Sequence, residues 1–498
     1  MLITAIRVRD IAESLLQIRQ VLEHTDGFEL RLDYCEPLDL EALKNLRSQC
    51  TKPLIFTLRR ADQGGQYQGP EAARLALILD LCALAPDYFD FEYDIPREFV
   101  AKVSALYPNI KLISSYHDFD QTPEDLAAIL ALMQQPFISI YKLATFAHSI
   151  IDALRMLYFI KEAQVPFAGM CMGEDGEITR VLGPVVGNAL DYASVSSSDA
   201  TAPGQLSVQD LQQIYHYPLL NKNTKIYGVF GDPVAKSVGY LLHNQAICKL
   251  QKNAVYVRLR VSAEDLPAAI KLCRKLPFGG ASVTMPLKEA IMPLLDGLND
   301  DAEAMKAVNT IVVQNNIWQG FNTDGLGAIA ALEAQGSLAQ QKIVILGAGG
   351  AAKAIAFVAL QKGAQVVILN RTLARADQLA KDLGCEAGGL DTLSHLADTD
   401  YTILINTLPV GEKMDALLKV SYLKPGTVAM DIVYAPIETV FLQIAKQAGC
   451  VCIPGYQMYI GQALLQEQYW FDVDSQQLLG VRELMENYFP AAIVSQLK

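Results

Sequence analysis

The chain has 498 residues, of which 51% are hydrophobic and 19% charged, enough for roughly three domains with buried cores. Its net charge of −13 and isoelectric point near 5 exclude a nucleic acid or an anionic membrane surface as the main partner. The nine cysteines lack the spacing of a metal site or a disulfide framework, which indicates reduced thiols and a cytoplasmic protein. We also expect no leader and no membrane span, because the first residues read as a strand and apolar runs are short.

From residue 1 to about 216 strand-like and helix-like segments alternate. We predict strands at 2–8, 27–34, 53–59, 88–95, 110–116, 137–144, 166–172 and 189–195. Eight strands with intervening helices fit a compact (β/α)8 barrel. A helix is predicted over 122–135, with Thr122 as its N-cap and Pro123 at its first position.

Two of these strands alternate apolar and charged residues. The charged members are Glu29, Arg31, Asp33, Asp90, Glu92 and Asp94. In a barrel the apolar set faces the helices and the charged set faces the interior. The alternative is a half-exposed antiparallel strand, which the repeated strand–helix pattern makes less favourable.

Two other strands each carry an ionisable residue in an apolar run: His117 in KLISSYHDF and Lys142 in FISIYKLATFA. Apolar surroundings lower the pKa of an amine, and a neutral amine can form a Schiff base with a ketone. A histidine on the neighbouring strand could then move the proton. Each residue taken singly is explained at least as well without catalysis: Lys142 as a lysine whose ammonium reaches solvent, and His117 as a histidine packed in the core.

A polar hinge at 217–223 precedes a new α/β pattern, so we place a boundary near 220. Residues 342–372 form a strand–turn–helix–strand unit whose turn contains Gly347, Ala348, Gly349, Gly350 and Ala351. The glycines permit a tight turn and a close approach to a pyrophosphate at the helix N-terminus, which is typical of a dinucleotide site.

The strand after this helix ends at Asn370, Arg371 and Thr372, with Arg375 close behind. An NAD site needs an acid at this place, whereas guanidinium groups suit the 2′-phosphate of NADP. The alternative is a pair of surface arginines at a helix start, where a cation is mildly unfavourable.

A third set of polar residues lies at predicted strand ends and turns between 281 and 327. Its members are Lys288, Asn309, Thr310, Asn322 and Asp324. A lysine and an aspartate that meet across a cleft can protonate an alkoxide as a hydride arrives. A surface ion pair with turn-forming residues is an equally good explanation.

The first half resembles type I 3-dehydroquinate dehydratases over nearly all of 1–216, in FELRLDY, FTLRRADQGG, FDFEYD, SYHDF, YKLA, GEITRVLG and ATAPGQ. The resemblance implies that Lys142 forms the Schiff base, that His117 is the general acid and base, and that Glu92 orients or assists the histidine. It also implies a set of substrate-binding residues: Glu29, Arg31, Arg59, Arg180, Thr201 and Gln205.

Residues 222–498 resemble shikimate dehydrogenases in GDPVAKSVGYLLHN, SVTMPLK, AVNT, NTDG, GAGGAAKA, NRT, DIVYAP and GYQMYIGQ. This implies catalytic roles for Lys288 and Asp324 and NADP binding at the glycine turn and at 370–375. The substrate-binding residues implied are Ser237, Thr284, Asn309, Tyr434 and Gln462. Gly239 replaces the second serine of the usual pair, Tyr240 replaces a proline, and LPVG at 408–411 departs from a serine-containing loop.

The sequence therefore predicts an α/β chain with a barrel at 1–218, a shikimate-binding domain at 222–327 completed by helices within 460–498, and a Rossmann-like NADP domain at 328–459. The implied activity is dehydration of 3-dehydroquinate followed by NADPH-dependent reduction of 3-dehydroshikimate to shikimate, without a metal. Three alternatives are a quinate-preferring dehydrogenase half, a first half that is another Schiff-base lyase such as a class I aldolase, and an inactive metabolite sensor.

Overall fold

Eight strands in the first half of the chain form a ring around a buried interior. The computed structural model describes residues 1–409 and 413–496. The strands of the ring are β1 (Leu2–Arg7), β2 (Gly27–Arg31), β3 (Leu54–Thr57), β4 (Tyr88–Glu92), β5 (Lys111–His117), β6 (Ile138–Phe146), β7 (Phe167–Met172) and β8 (Asp191–Ser194). Each overlaps one of the strands predicted from the sequence.

The strands pair in the order β7-β6-β5-β4-β3-β2-β1-β8, and every pair is parallel. Between β7 and β8, both fully described, no ladder forms, so the barrel is nearly closed and has one seam. Asn188 spans this seam: its side chain accepts from Gly169 N at 2.8 Å and donates to Gly169 O at 3.2 Å. The predicted (β/α)8 architecture is confirmed, with this seam and a register shift between Leu112 and Ile113 in the β5–β6 ladder.

Eight helices of this half lie between the strands in sequence, and a ninth follows β8. They are α1 (Ile11–Val21), α2 (Leu40–Gln49), α3 (Glu71–Cys82), α4 (Arg97–Leu106), α5 (Leu126–Met133), α6 (Ile150–Glu162), α7 (Glu177–Val181), α8 (Gly183–Val186) and α9 (Val208–Gln213).

The predicted start of α5 is wrong. Asp125 is the N-cap, and its side chain accepts a hydrogen bond from Ala128 N at 2.9 Å. The Thr122 hydroxyl instead donates to Phe146 O at 2.8 Å. Thr122 therefore holds the loop against β6, and the helix begins at the next residue that can cap it.

The alternation predicted for β2 and β4 is confirmed within the strands, but it is wrong for Asp94, which follows β4, is exposed and pairs with Arg60 at 2.8 Å. Phe28 and Phe89 are fully buried, whereas Glu29 and Asp90 both point into the ring, where they reach Lys142. Burying this many charges requires that they pair with one another.

The second half contains two further sheets. The first has the order β10-β9-β11-β13-β14-β12 and is mixed, since β11 pairs with β9 in parallel and with β13 antiparallel. Its strands are β9 (Lys225–Gly231), β10 (Ala254–Arg260), β11 (Gly280–Val283), β12 (Gly297–Leu298), β13 (Thr310–Gln314) and β14 (Ile317–Phe321). The associated helices are α10 (Gly239–Lys249), α11 (Leu266–Cys273), α12 (Leu287–Ala290), α13 (Asp300–Met305) and α14 (Asp324–Glu333).

The other sheet is parallel and has the order β17-β16-β15-β18-β19-β20, the doubly wound order of Rossmann folds. Its strands are β15 (Lys342–Leu346), β16 (Gln365–Asn370), β17 (Glu386–Gly389), β18 (Ile403–Asn406), β19 (Val428–Asp431) and β20 (Val451–Ile453). Its helices are α15 (Gly350–Gln361), α16 (Leu373–Leu383), α17 (Met414–Leu417) and α18 (Val440–Gln447). Two further helices, α19 (Gly455–Phe471) and α20 (Ser475–Gln496), pack mainly against α14 and α10 of the mixed sheet.

By packing, the chain divides into two compact units. The first comprises residues 1–228 and 253–278, and the second comprises 229–252 and 279–498. All nine cysteines are free thiols. Among the helices described, none has the length and apolar character needed to cross a bilayer.

Asp191 makes the stability of the barrel depend on pH. Its buried carboxylate accepts from Asn188 at 2.8 Å and from the Tyr217 hydroxyl at 2.7 Å. Burial outweighs these bonds and raises the pKa of Asp191 to about 6. The folded state thus holds this proton more tightly than the unfolded chain, so its stability falls as pH rises from roughly 4 to 6.

We expect Asp191→Asn to stabilise the barrel at pH 7 by about 2 kcal/mol, because a neutral amide avoids the cost of burying a charge. Urea unfolding measured between pH 5 and 8 checks this, with the exposed Asp80→Asn as control. A variant that is less stable than the parent at pH 7 would contradict the assignment.

Candidate active sites

The first candidate site centres on Lys142, which β6 directs into the ring. The side chain is buried, and Nζ lies 3.1 Å from Glu29 Oε1 and 3.0 Å from Asp90 Oδ2. The expectation of apolar surroundings is therefore wrong, since the amine lies between two carboxylates. Carboxylates at this distance stabilise a positive charge on the nitrogen, and a protonated Schiff base at the same atom carries that charge too.

Tyr192 on β8 also contacts this amine and was missed by the sequence analysis. Its ring centroid lies 4.2 Å from Lys142 Nζ, which is a cation–π distance. Burial and the charges of Glu29 and Asp90 raise the pKa of Tyr192 well above its ordinary value, so the hydroxyl keeps its proton. Nothing in the local sequence of β8 indicates which residue faces the lysine.

Asp90 is the second site residue that was missed, although the charge alternation in 89–94 placed it inside the barrel. It accepts from Arg59 at 2.7 Å and from the Ser115 hydroxyl at 2.6 Å. Burial acts to raise the pKa of Asp90, but the Arg59 and Lys142 cations outweigh it and hold this pKa well below its usual range. Asp90 is therefore ionised beside the amine.

Arg59 and Glu92 belong to the same buried chain of charges. Arg59 lies 3.7 Å from Glu92, and although burial opposes its charge, the neighbouring carboxylates raise its pKa. Glu92 accepts from Arg60 N at 2.9 Å and from Arg74 at 2.8 Å. The expected contact between Glu92 and His117 is not made, because the carboxylate of Glu92 accepts hydrogen bonds from these arginines.

His117 ends β5, the strand next to β6. Burial and the cations of Arg59 and Lys142 lower the pKa of His117 well below its ordinary value, so the imidazole is neutral. Its Nδ1 is buried and has no hydrogen-bond partner among the described residues. The Gln63 side chain accepts from the His117 backbone N at 3.4 Å. A neutral ring with an unused nitrogen can accept a proton from a substrate.

Arg180 on α7 is a buried cation without a carboxylate partner among the described residues. It is 3% exposed, Nε makes no hydrogen bond, and its contact is with Met170 Sδ at 4.0 Å. Burial lowers the pKa of Arg180 to about 10. An unpaired guanidinium inside a protein is costly unless an anion binds it, so this residue suits the carboxylate of a substrate.

The remaining residues predicted for this site are bound to neighbours. Arg31 donates to Asp33 through two nitrogens, both at 2.9 Å. Gln205 accepts from Thr201 N at 2.6 Å and from the Thr201 hydroxyl at 3.0 Å. The structure thus brings Glu29 and Arg59 into the surroundings of Lys142, and it joins Thr201 to Gln205 in a separate loop contact.

The second candidate site is built on Lys288 and Asp324. The ammonium lies 2.5 Å from Asp324 Oδ2, and Asn309 donates to Oδ1 at 2.8 Å. Asp324 is the first residue of α14, where the helix dipole favours a carboxylate. Both charged groups remain partly exposed, so a substrate can reach them. The two residues predicted to act together are brought together.

Asn309 connects this pair to its surroundings. Its amide donates to Thr323 at 2.9 Å and to Gln462 at 3.1 Å, while its oxygen accepts from Thr310 at 2.7 Å. Gln462, predicted to bind substrate, is therefore fixed beside Asp324. Asn322 accepts from Asp324 N at 3.1 Å and shapes the turn before the helix.

Three other predicted residues make different contacts. The Ser237 hydroxyl accepts from Gly239 N at 3.2 Å, which closes a turn just before α10. Thr284 N donates to Phe230 O at 2.9 Å. The Tyr434 ring packs against Phe489 at 5.7 Å, and burial raises the pKa of its hydroxyl. None of these contacts joins them directly to Lys288.

The turn between β15 and α15 fits a dinucleotide. Gly347 has a φ of +108°, and a Cβ there would lie 2.5 Å from the Thr407 hydroxyl, so only glycine suits this position. A Cβ at Gly349 or Gly350 would meet no atom within 4 Å. This open space, with Ala348 and Ala351 beside it, lets a pyrophosphate approach the helix N-terminus.

The residues predicted to select NADP lie together at the end of β16 and the start of α16. Asn370 donates to Thr372 O at 3.0 Å, and Arg371, Thr372 and Arg375 are exposed at the start of α16. Two exposed guanidinium groups at this place fit a 2′-phosphate. Of the predicted departure at 408–411, Val410 and Gly411 lie outside the described residues.

Both halves of the chain match known families. Residues 2–222 match the model for type I 3-dehydroquinase. Residues 229–311 match the shikimate dehydrogenase substrate binding domain, and residues 329–407 match shikimate / quinate 5-dehydrogenase. These matches do not favour an aldolase-like first half or an inactive sensor.

The chain is 35% identical over 461 residues to the bifunctional 3-dehydroquinate dehydratase/shikimate dehydrogenase of Arabidopsis thaliana, which covers 88% of this chain and 76% of that protein. It is 35% identical over 476 residues to the shikimate biosynthesis protein AroDE of Chlamydia pneumoniae, covering 95% of each. A crystal structure of a shikimate dehydrogenase in complex with NADP+ has a TM-score of 0.51 and 35% identity, covering 56% of this chain and 98% of that one. The chain belongs to the family of bifunctional 3-dehydroquinate dehydratase/shikimate dehydrogenases.

Proposed function

We propose that Lys142 and His117 dehydrate 3-dehydroquinate in the first half of the chain and that Lys288 and Asp324 reduce the product in the second half. The observation that best supports the first site is the position of Lys142 between Glu29 and Asp90. This arrangement favours the cationic intermediates of Schiff-base chemistry.

In the proposed dehydration, the Lys142 ammonium passes one proton to a neighbouring carboxylate and the resulting amine attacks the ring ketone. Return of that proton, with loss of water, gives an iminium. Glu29 and Asp90 stabilise the positive nitrogen, which withdraws electrons and acidifies the adjacent C–H bond. Neutral His117 takes that proton and returns it to the departing hydroxyl, so that a second water molecule leaves. Hydrolysis of the iminium then releases 3-dehydroshikimate and regenerates Lys142.

The substrate carboxylate is proposed to bind Arg180. This pairing would supply the anion that the buried guanidinium lacks. It would also place the ring of the substrate against the Lys142 side of the barrel, because β7, which leads into α7, is the strand next to β6.

In the second half, NADP(H) is the cofactor and supplies a hydride when bound. Lys288 is proposed to polarise the substrate carbonyl, and Asp324 with Lys288 to provide the proton for the resulting alkoxide. Asn309 holds Asp324 in place, and Gln462, Ser237, Thr284 and Tyr434 are proposed to bind the ring of the substrate. Gly347, Gly349 and Gly350 would hold the pyrophosphate.

We also propose that the domains are the barrel at 1–218, the substrate-binding domain at 222–327 with the helices after 460, and the NADP domain at 328–459. A cytoplasmic location is supported by the free cysteines. Fusion of the two activities raises the effective concentration of the first product near the second enzyme.

Borohydride reduction in the presence of 3-dehydroquinate should trap a stable adduct on Lys142, which peptide mass mapping would locate. Lys142→Met should form no adduct and lose dehydratase activity by roughly 1000-fold or more, since Lys142 is the only buried lysine among the described residues. Lys102→Met, on the exposed face of α4, is the control. An adduct on another lysine would refute the site.

Arg180→Met should raise the KM for 3-dehydroquinate by about 100-fold, because the substrate carboxylate loses its partner. It should also stabilise the free protein by about 2 kcal/mol, since it removes an unpaired buried charge. The matched control is Arg74→Met, which breaks a buried but paired charge and should destabilise by roughly 3–5 kcal/mol. Urea unfolding and steady-state kinetics measure both effects, and an unchanged KM would rule out this role for Arg180.

Arg371→Gln should weaken NADPH binding by about tenfold or more, because one charged hydrogen bond to the 2′-phosphate is lost. The KM for NADH, which has no such phosphate, should stay the same. Lys381→Gln removes a charge from the same helix and should change neither value. Equal losses for both cofactors would contradict the proposed phosphate site.

A further inference from the structure

Two arginines of β10 bind the segment that carries Arg180. Arg258 donates to both oxygens of Glu177, at 2.9 and 3.1 Å. Arg260 donates to Asp175 Oδ1 at 2.9 Å. Residues two apart on a strand face the same side, so β10 presents both guanidinium groups to this segment. All four residues belong to the first compact unit.

Glu177 and Arg180 lie on the same short helix, α7. Residues three apart on a helix are neighbours and can form an ion pair. Glu177 does not pair with Arg180, because its carboxylate is bound by Arg258 and by the Tyr215 hydroxyl at 3.2 Å. Glu177 is also the only acidic residue of α7, so it is the carboxylate on this helix that could neutralise Arg180.

The inner side of the segment is fixed independently. Thr179 accepts from Cys171 N at 3.0 Å and donates to Gly176 O at 2.7 Å, which ties α7 to the end of β7. The position of the Arg180 backbone is therefore set by the barrel itself. The separate effect of Arg258 is to hold the carboxylate of Glu177 in its position.

We propose that Arg258 is a positioning residue for the dehydratase site: by binding Glu177, it keeps that carboxylate away from Arg180 and leaves the guanidinium available to the substrate carboxylate. This inference rests on the proposed role of Arg180. Arg258 lies outside the barrel strands, within the region that matches the dehydrogenase substrate domain. The inference gives it an effect on substrate binding by the dehydratase.

The test compares dehydratase kinetics of Arg258→Gln, Glu177→Gln and the double variant in the full chain. Arg258→Gln should raise the KM for 3-dehydroquinate by about tenfold with kcat within about twofold, because released Glu177 competes for Arg180. Glu177→Gln should stay near the parent value, and adding it to Arg258→Gln should restore the KM. Arg258→Lys should fall between Arg258→Gln and the parent, and Lys271→Gln, on the exposed face of α11, is the charge-matched control.

A purely structural ion pair predicts a different pattern. Glu177→Gln would then raise KM as much as Arg258→Gln, and the double variant would be no better than either. That result, or an unchanged KM in Arg258→Gln, would overturn the inference. The underlying role of Arg180 is judged separately by Arg180→Met, so failure of one is distinguishable from failure of the other.

Discussion

The dehydratase half depends on the pairing of one buried nitrogen with two carboxylates. Lys142 lies between Glu29 and Asp90, and Asp90 in turn binds Arg59. From there the charges continue through Glu92 and Arg74 to Glu71, which reaches the surface of α3. Because each charge in this series has an opposite neighbour, the barrel can bury a reactive amine without leaving it uncompensated.

Arg180 is the exception to this rule, because its guanidinium has no carboxylate partner among the described residues. Every other buried guanidinium described in this barrel already binds a carboxylate. One unpaired buried cation lowers the stability of the barrel, and an anion bound at the proposed site would offset that cost. The glycine turn of the second half also leaves room for a ligand, since a Cβ at Gly349 or Gly350 would meet no atom within 4 Å.

Much of this could be predicted from sequence because the signals are local. The period-two alternation placed Glu29 and Asp90 inside the barrel, though it failed for Asp94, and the strand–turn–helix pattern at 342–361 predicted a turn that fits a dinucleotide. Lys142 and His117 stood out as ionisable residues in apolar strands. Contacts between distant strands could not be predicted in this way: which inward residues meet Lys142 depends on the register and curvature of the whole ring. Asp90 and Tyr192 were missed for that reason. The family resemblance assigned Glu92 to His117, whereas in the structure Glu92 pairs with Arg74.

The seam between β7 and β8 has a mechanical consequence. Everywhere else, widening the barrel would break a series of main-chain hydrogen bonds between neighbouring strands. At the seam, a main-chain hydrogen bond from Ala189 N to Phe167 O at 2.8 Å is joined by the Asn188 side chain, which accepts from Gly169 N and donates to Gly169 O. β7 leads into the helix of Arg180, and β8 carries Tyr192 beside the amine. The barrel should therefore open most easily at this seam. The seam lies between the strand that leads to Arg180, the residue proposed to bind the substrate carboxylate, and the strand that carries Tyr192.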